Sequence, residues 1–193
     1  MFKTFISMLA VCLAFSASAN TLTYQEVTFN TWDVDQNTLG LSILNATNAS
    51  GNWQDVQYLS AFEIKDIGDV TSATIVSGPG YFGDTVNNGL SANLGCVSGG
   101  TPGACFFALP ALTLEDSMTW IINFGGLGLH FDAPHLKVQF INELTDSKAV
   151  GSLLSQTIPG TVGPVSLVPE PSSGIMLLSG LGLLGFLRMR QKK

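Results

Sequence analysis

The stretch Met118-Thr119-Trp120-Ile121-Ile122-Asn123-Phe124 sets large apolar side chains at every second position, with Thr119 and Asn123 among the residues between them. Successive side chains of a β-strand point to opposite faces, so this spacing predicts a strand with one face in a core. The same period recurs three times. Leu39, Leu41 and Ile43 alternate with Gly40 and Ser42; Tyr58, Ser60, Phe62 and Ile64 alternate with Leu59, Ala61 and Glu63; Leu136, Val138 and Phe140 alternate with Lys137 and Gln139. Turn-forming clusters at 45–52, 78–80, 87–89, 99–103 and 125–128 separate these runs at intervals suited to a sandwich. A short further strand fits within 151–158, helical periodicity is nearly absent, and no internal repeat is evident. The expected fold is all-β: an antiparallel, jelly-roll-like β-sandwich.

Both ends of the chain differ from this body. At the start, Lys3 supplies a positive charge, residues 5–15 an apolar core, and Ala17-Ser18-Ala19 a small-residue cleavage pattern. Together they predict a signal peptide over 1–19, export by the Sec route, and a mature chain beginning at Asn20 after signal peptidase. A lipoprotein reading of Cys12 fails on Val11, which is bulky where a small residue is required, and on an apolar core that runs past the cysteine. At the far end, Pro169, Glu170 and Pro171 precede a 14-residue apolar run, 174–187, followed by Arg188, Arg190, Lys192 and Lys193. As a helix the run covers about 21 Å of a hydrocarbon core about 30 Å thick, a short transmembrane span. The basic residues place the tail over 188–193 in the cytoplasm by the positive-inside rule. The two prolines lack N–H donors and hold their neighbours extended, so the helix cannot propagate upstream, and the 165–173 tether offers a protease an unpaired backbone.

Residues Pro169, Glu170 and Pro171, the apolar run and the basic end resemble the PEP-CTERM sorting signal of Gram-negative bacteria. The resemblance covers about an eighth of the chain. It implies that the protein is a substrate of exosortase, an inner-membrane enzyme with a catalytic cysteine that cuts near the Pro-Glu-Pro. It further implies transient residence in the inner membrane, facing the periplasm, then transfer to the cell surface or extracellular matrix, with exopolysaccharide as a companion. A permanent tail anchor is the competing expectation. A glycosylphosphatidylinositol signal is not, because such signals end in the apolar tail, whereas this chain closes on cations.

Between the two signals lie 145 residues, 20–164, the size of one domain. They hold 13 carboxylates and three lysines, Lys65, Lys137 and Lys148, with no arginine, so three cations less 13 anions gives a net charge of −10. Nucleic-acid binding requires phosphate neutralisation by Lys and Arg, and this composition excludes it. Cys96 and Cys105 are an even pair in an oxidising compartment and predict a disulfide closing a Gly/Pro-rich loop. In the chain-entropy model such a loop of about ten residues contributes roughly 2.7 kcal/mol.

Sites for chemistry are sparse. Asp33, Asp35 and Asn37 follow Trp32 at alternate positions, like the start of a calcium loop, but Thr38 stands at the sixth position and Leu44 at the twelfth, which excludes an EF-hand and leaves only a looser cation site. His130, Asp132 and His135 form a second, weaker metal candidate in a turn-rich segment. No cofactor motif, nucleophile elbow or metalloprotease motif occurs, and Glu115 and Asp116 are adjacent, which on a strand would send them to opposite faces. A catalytic role is therefore not expected, short of a site assembled from residues far apart in sequence. Asn45 and Asn48 sit in formal glycosylation triplets that a bacterial route leaves idle. The expected role is structural or exopolysaccharide-associated; the alternative is a carbohydrate-binding sandwich using Trp32, Trp53 and Tyr81 as stacking faces.

Overall fold

A computed structural model describes residues 19–93, 95–98, 103–144, 148–151 and 153–160. The signal peptide through residue 18, the Pro-Glu-Pro at Pro169 to Pro171, the 174–187 run and the basic residues Arg188, Arg190, Lys192 and Lys193 lie outside the described residues. Among the described residues no helix is long and apolar enough to cross a membrane.

The described chain is an antiparallel β-sandwich, as the period-two runs predict. One five-stranded sheet orders β1 (Ala19–Tyr24), β2 (Val27–Asp35), β3 (Thr38–Leu44), β10 (Ser117–Leu127) and β5 (Asp69–Ser77). The other orders β12 (Leu154–Thr157), β11 (His135–Ile141), β4 (Tyr58–Lys65), β9 (Gly103–Thr113) and β6 (Phe82–Val86). A two-stranded ribbon, β7 (Asn88–Ser91) and β8 (Gly95–Ser98), is separate from both. The four runs that carry the sequence argument are β3 and β10 in the first sheet and β4 and β11 in the second, and each pair is hydrogen-bonded side by side. These strands are flanked on both sides, so both their faces need specific residues, and the alternation is clearest there.

The core lies between the sheets. Phe29, Leu39, Leu41, Ile43, Trp120 and Ile122 from the first meet Leu59, Phe62, Ile64, Phe106, Val138 and Phe140 from the second, all buried. Two aromatic groups organise it. Phe62 stacks on Phe106 with ring centres 4.9 Å apart and tilts against Trp120 at 5.4 Å, while Trp53 meets Tyr24 at 5.1 Å and Phe140 at 5.0 Å edge-on. Offset and edge-to-face arrangements of this kind add about 0.5–1.5 kcal/mol per pair beyond area burial. The Trp120 indole N–H reaches the Pro79 carbonyl at 3.0 Å, so the buried ring leaves no donor unpaired.

Candidate functional site

The second sheet has an outer face that the sequence does not advertise. On β4, Phe62 and Ile64 point into the core, which sends Ala61 and Glu63 outward; yet Glu63 is wholly buried. The β7–β8 ribbon covers it. The Leu90 main-chain N–H donates to Glu63 Oε2 at 2.8 Å, and Lys137 Nζ, on the neighbouring strand and directly opposite in register, reaches the same oxygen at 2.9 Å. Lys137 also donates to the Leu90 carbonyl at 3.5 Å, and Gln139 Nε2 to that of Ala92 at 3.4 Å. Glu63 Oε1 is buried with no partner. The ribbon is fastened by the disulfide between Cys96 on β8 and Cys105 on β9, the predicted pairing. A small apolar cluster of Ala61, Leu90 and Cys105 fills the space beneath. The staple thus holds a ribbon over a sheet face, rather than only tightening a loop.

The calcium-like triplet serves a turn. Asp35 Oδ1 accepts the Asn37 main-chain N–H at 2.8 Å across the β2–β3 hairpin, and that bond, joined by the Thr38 hydroxyl, holds the Asp35 carboxyl below the usual carboxylate value. Asp33 is displaced the other way, raised by burial and then by the Asp132 carboxylate. Asp33 and Asp35 are separated by a register shift in the pairing with β3. Among the described residues no three His, Cys, Asp or Glu side chains gather as a metal ligand set.

The histidine cluster is also dispersed. His135 sits on β11 with Nε2 at 3.0 Å from the Ser155 hydroxyl and Nδ1 at 3.2 Å from that of Thr157, both on β12, while His130 and Asp132 are exposed on the preceding loop. Burial and the nearby Lys65 charge lower the His135 pKa from the usual 6.5. Glu115 and Asp116 lie in the turn between β9 and β10. Asp116 Oδ1 accepts from the Thr47 hydroxyl at 2.6 Å and from Asn48 Nδ2 at 3.3 Å, anchoring the 45–48 turn. Asn45, left-handed at φ 62°, donates its side-chain amide to the Glu26 carbonyl at 2.9 Å, so the formal glycosylation nitrogen is already engaged.

The three aromatic candidates separate completely. Trp53 is 1% exposed and belongs to the core, which removes it as a stacking face: the 51–53 turn folds its ring between Tyr24 and Phe140. Tyr81 is 73% exposed and lies in the connection between β5 and β6. Trp32 is half-buried on the outer face of its sheet, where Thr38, Gly40 and Ser42 of β3 are themselves buried. On β2, Phe29 and Thr31 are buried inward, so Asn30 and Trp32 point outward. The Trp32 ring lies across Gly40, its register partner on β3, so closely that a methyl group at position 40 would overlap the indole. Ile121 continues that row on β10. Polar rows flank it: Thr21, Asn30, Ser42 and Thr119 on one side, Asp35, Thr38 and Asn123 on the other. Thr21 donates to Asn30 Oδ1 at 2.8 Å, Asn30 Nδ2 to Ser42 at 3.2 Å, and Asn123 Nδ2 to Thr38 at 3.1 Å.

Comparison with known proteins adds a family match and structural likenesses. Residues 167–192 match the PEP-CTERM protein-sorting motif. No curated protein matches the chain. Among solved structures, an uncharacterized protein from Nocardia farcinica with an immunoglobulin-like fold is 10% identical, covers 72% of this chain and 81% of its own, and superposes with a TM-score of 0.36. The sorting motif implies export, membrane-anchored transit before release, and processing by exosortase. In residues 167–192 the chain is thus a PEP-CTERM domain-containing protein.

Proposed function

We propose that this protein is an acidic β-sandwich carried by the Sec route to the outer side of the inner membrane. There its C-terminal helix parks it, exosortase cuts it near Pro169 to Pro171, and it serves at the cell surface as a structural, matrix-associated component. The observation that carries the reading is the sorting motif at 167–192. Two features of the fold support it. Asn20, which the sequence places first after the signal-peptidase cut, is built into the sandwich: it is buried, and its Nδ2 donates to the carbonyls of Phe131 at 3.3 Å and Asp132 at 2.8 Å. The cystine holding the β7–β8 ribbon suits an oxidising compartment. This reading assigns no catalytic role or cofactor; the buried Glu63 and the half-buried Lys137 bind the ribbon to its sheet.

The test is genetic. Replacing Pro169, Glu170 and Pro171 with alanine leaves a full-length, membrane-retained species in cells that possess exosortase. Unchanged release into the medium discards the sorting account, and equal retention of the unaltered protein favours a permanent anchor.

A further inference from the structure

We infer that the end of the sandwich at Asn20 binds a calcium ion, held by the Asp33 and Asp132 carboxylates and the Thr31 hydroxyl. The two acids belong to different sequence candidates, Asp33 to the calcium-like triplet and Asp132 to the histidine cluster, and the fold brings one member of each together. Asn20 is the link. Its Nδ2 donates to the Asp132 carbonyl at 2.8 Å and to the Phe131 carbonyl at 3.3 Å, and its register partner across the β1–β2 hairpin is Thr31. Thr31 and Asp33 pair with Leu41 and Leu39 of β3, both buried in the core, so both belong to the inner face of their sheet. Asp33 ends that row, where the face reaches solvent.

Three observations favour a cation there. Thr31 is 1% exposed and its Oγ1 has no partner, an orphaned hydroxyl beside the last carboxylate of the row. The Asp33 pKa is raised by burial and then by the Asp132 carboxylate, and among the described residues neither acid has a salt bridge, so two like charges meet without a counter-ion from the described chain. The 128–134 loop that carries Asp132 is fixed: Phe131 is buried with its ring centre 5.7 Å from that of Phe124, and the Pro134 carbonyl accepts the Ile158 N–H at 2.9 Å. All the donors are oxygens, which selects a hard cation. Two carboxylates and a hydroxyl from separate segments suit calcium, which accepts irregular geometry and completes its shell with carbonyls and water, whereas magnesium demands a near-octahedral set. With only two carboxylates the site belongs to the weak class of extracellular modules, with Kd about 10⁻⁴–10⁻³ M.

The experiment uses the full-length chain in a zwitterionic detergent, stripped of metal with a chelator, to which calcium or magnesium chloride is added. Calorimetry is expected to give one calcium site with Kd in that range, and about 10 mM calcium to raise the melting midpoint by about 4 °C. Magnesium does neither. Asp33→Asn and Asp132→Asn each weaken calcium binding about tenfold. Thr31→Val keeps the shape and removes the orphaned hydroxyl, so it raises the metal-free midpoint while shrinking the calcium shift, a pairing that a merely structural threonine does not give. Asp35→Asn, at the hairpin turn, leaves the calcium response unchanged. The inference is overturned by an absent calcium heat and midpoint shift, by an equal response to magnesium, or by folded Asp33→Asn and Asp132→Asn that respond like the wild type. A midpoint lost in Asp33→Asn to the same extent with and without calcium also overturns it, assigning the carboxylate to the Asn20 ammonium that signal peptidase releases. The inference goes beyond the sorting account and needs only the folded domain, so each of these outcomes leaves that account to the alanine replacement of the Pro-Glu-Pro.

Discussion

The residue that departs furthest from its sequence appearance is Glu63. It alternates with Phe62 and Ile64, so the period-two pattern assigns it to water, and within its own sheet that is correct. Only the ribbon, laid down by residues 88–98, turns this position into an interior one. No local signal could reveal it. Removing one partner of a buried pair leaves the others uncompensated, so Glu63→Ala strands the Leu90 N–H and unpairs Lys137; urea unfolding should show a loss of about 3 kcal/mol. A change under about 1 kcal/mol would mean that the ribbon is held by its cystine and apolar contacts alone. Trp53 shows the converse case. Its neighbours Gly51 and Asn52 suggest an exposed loop, and the ring reaches the core because that loop forms a single tight turn. His135 has a pH consequence with a definite sign. Its pKa is lowered in the folded state, so the unfolded chain binds the proton more readily below the usual 6.5. Its contribution to stability is therefore complete above 6.5 and is lost as pH falls through the lower folded value. Melting curves from pH 7.5 to 5 should show a decline in midpoint that is reduced in His135→Gln; equal declines would assign the effect to other groups.

At the scale of elements, the central strands β3, β4, β10 and β11 are legible because each has to satisfy a core on one side and neighbours on both edges. β9 is also central and was hidden, because Pro110 interrupts it and a register shift between Leu59 and Ala61 accommodates the extra residues. β2 was masked by its acidic end, where Asp33 and Asp35 read as ligands and the structure uses Asp35 to close the hairpin. The hairpin between β1 and β2 hides its turn in another way. Tyr24 pairs with Val27, so Gln25 and Glu26 alone make the turn, with φ of 48° and 67°. Both lie in the left-handed region that a type I′ turn requires and that Asn and Gly fill at least cost, so no turn signal stands at this position. Replacing Gln25-Glu26 by Asn-Gly should raise stability by about 1 kcal/mol in denaturant unfolding. A loss would show that the Gln25 side chain, packed beside Gly51, contributes more than the turn strain it imposes.

For the whole molecule, the sequence gives the address more clearly than the activity. Motifs read by an enzyme or a translocon are local, so the sorting signal is visible residue by residue in 167–192. A face of a sandwich is assembled across strands: Trp32 and Gly40 meet through a hairpin, and Asn123 joins their sheet from far along the sequence. That is why the aromatic candidates could be named from composition but not sorted into core and surface. The central claim is that both ends of this chain are removed during export, leaving a domain that starts at Asn20 and ends near the Pro-Glu-Pro. Intact-mass spectrometry of the protein recovered from the medium of an exosortase-bearing host tests it directly. The account predicts a single species beginning at Asn20, lacking the 174–193 segment and carrying the Cys96–Cys105 bond; secreted material that still includes Lys193 would contradict it.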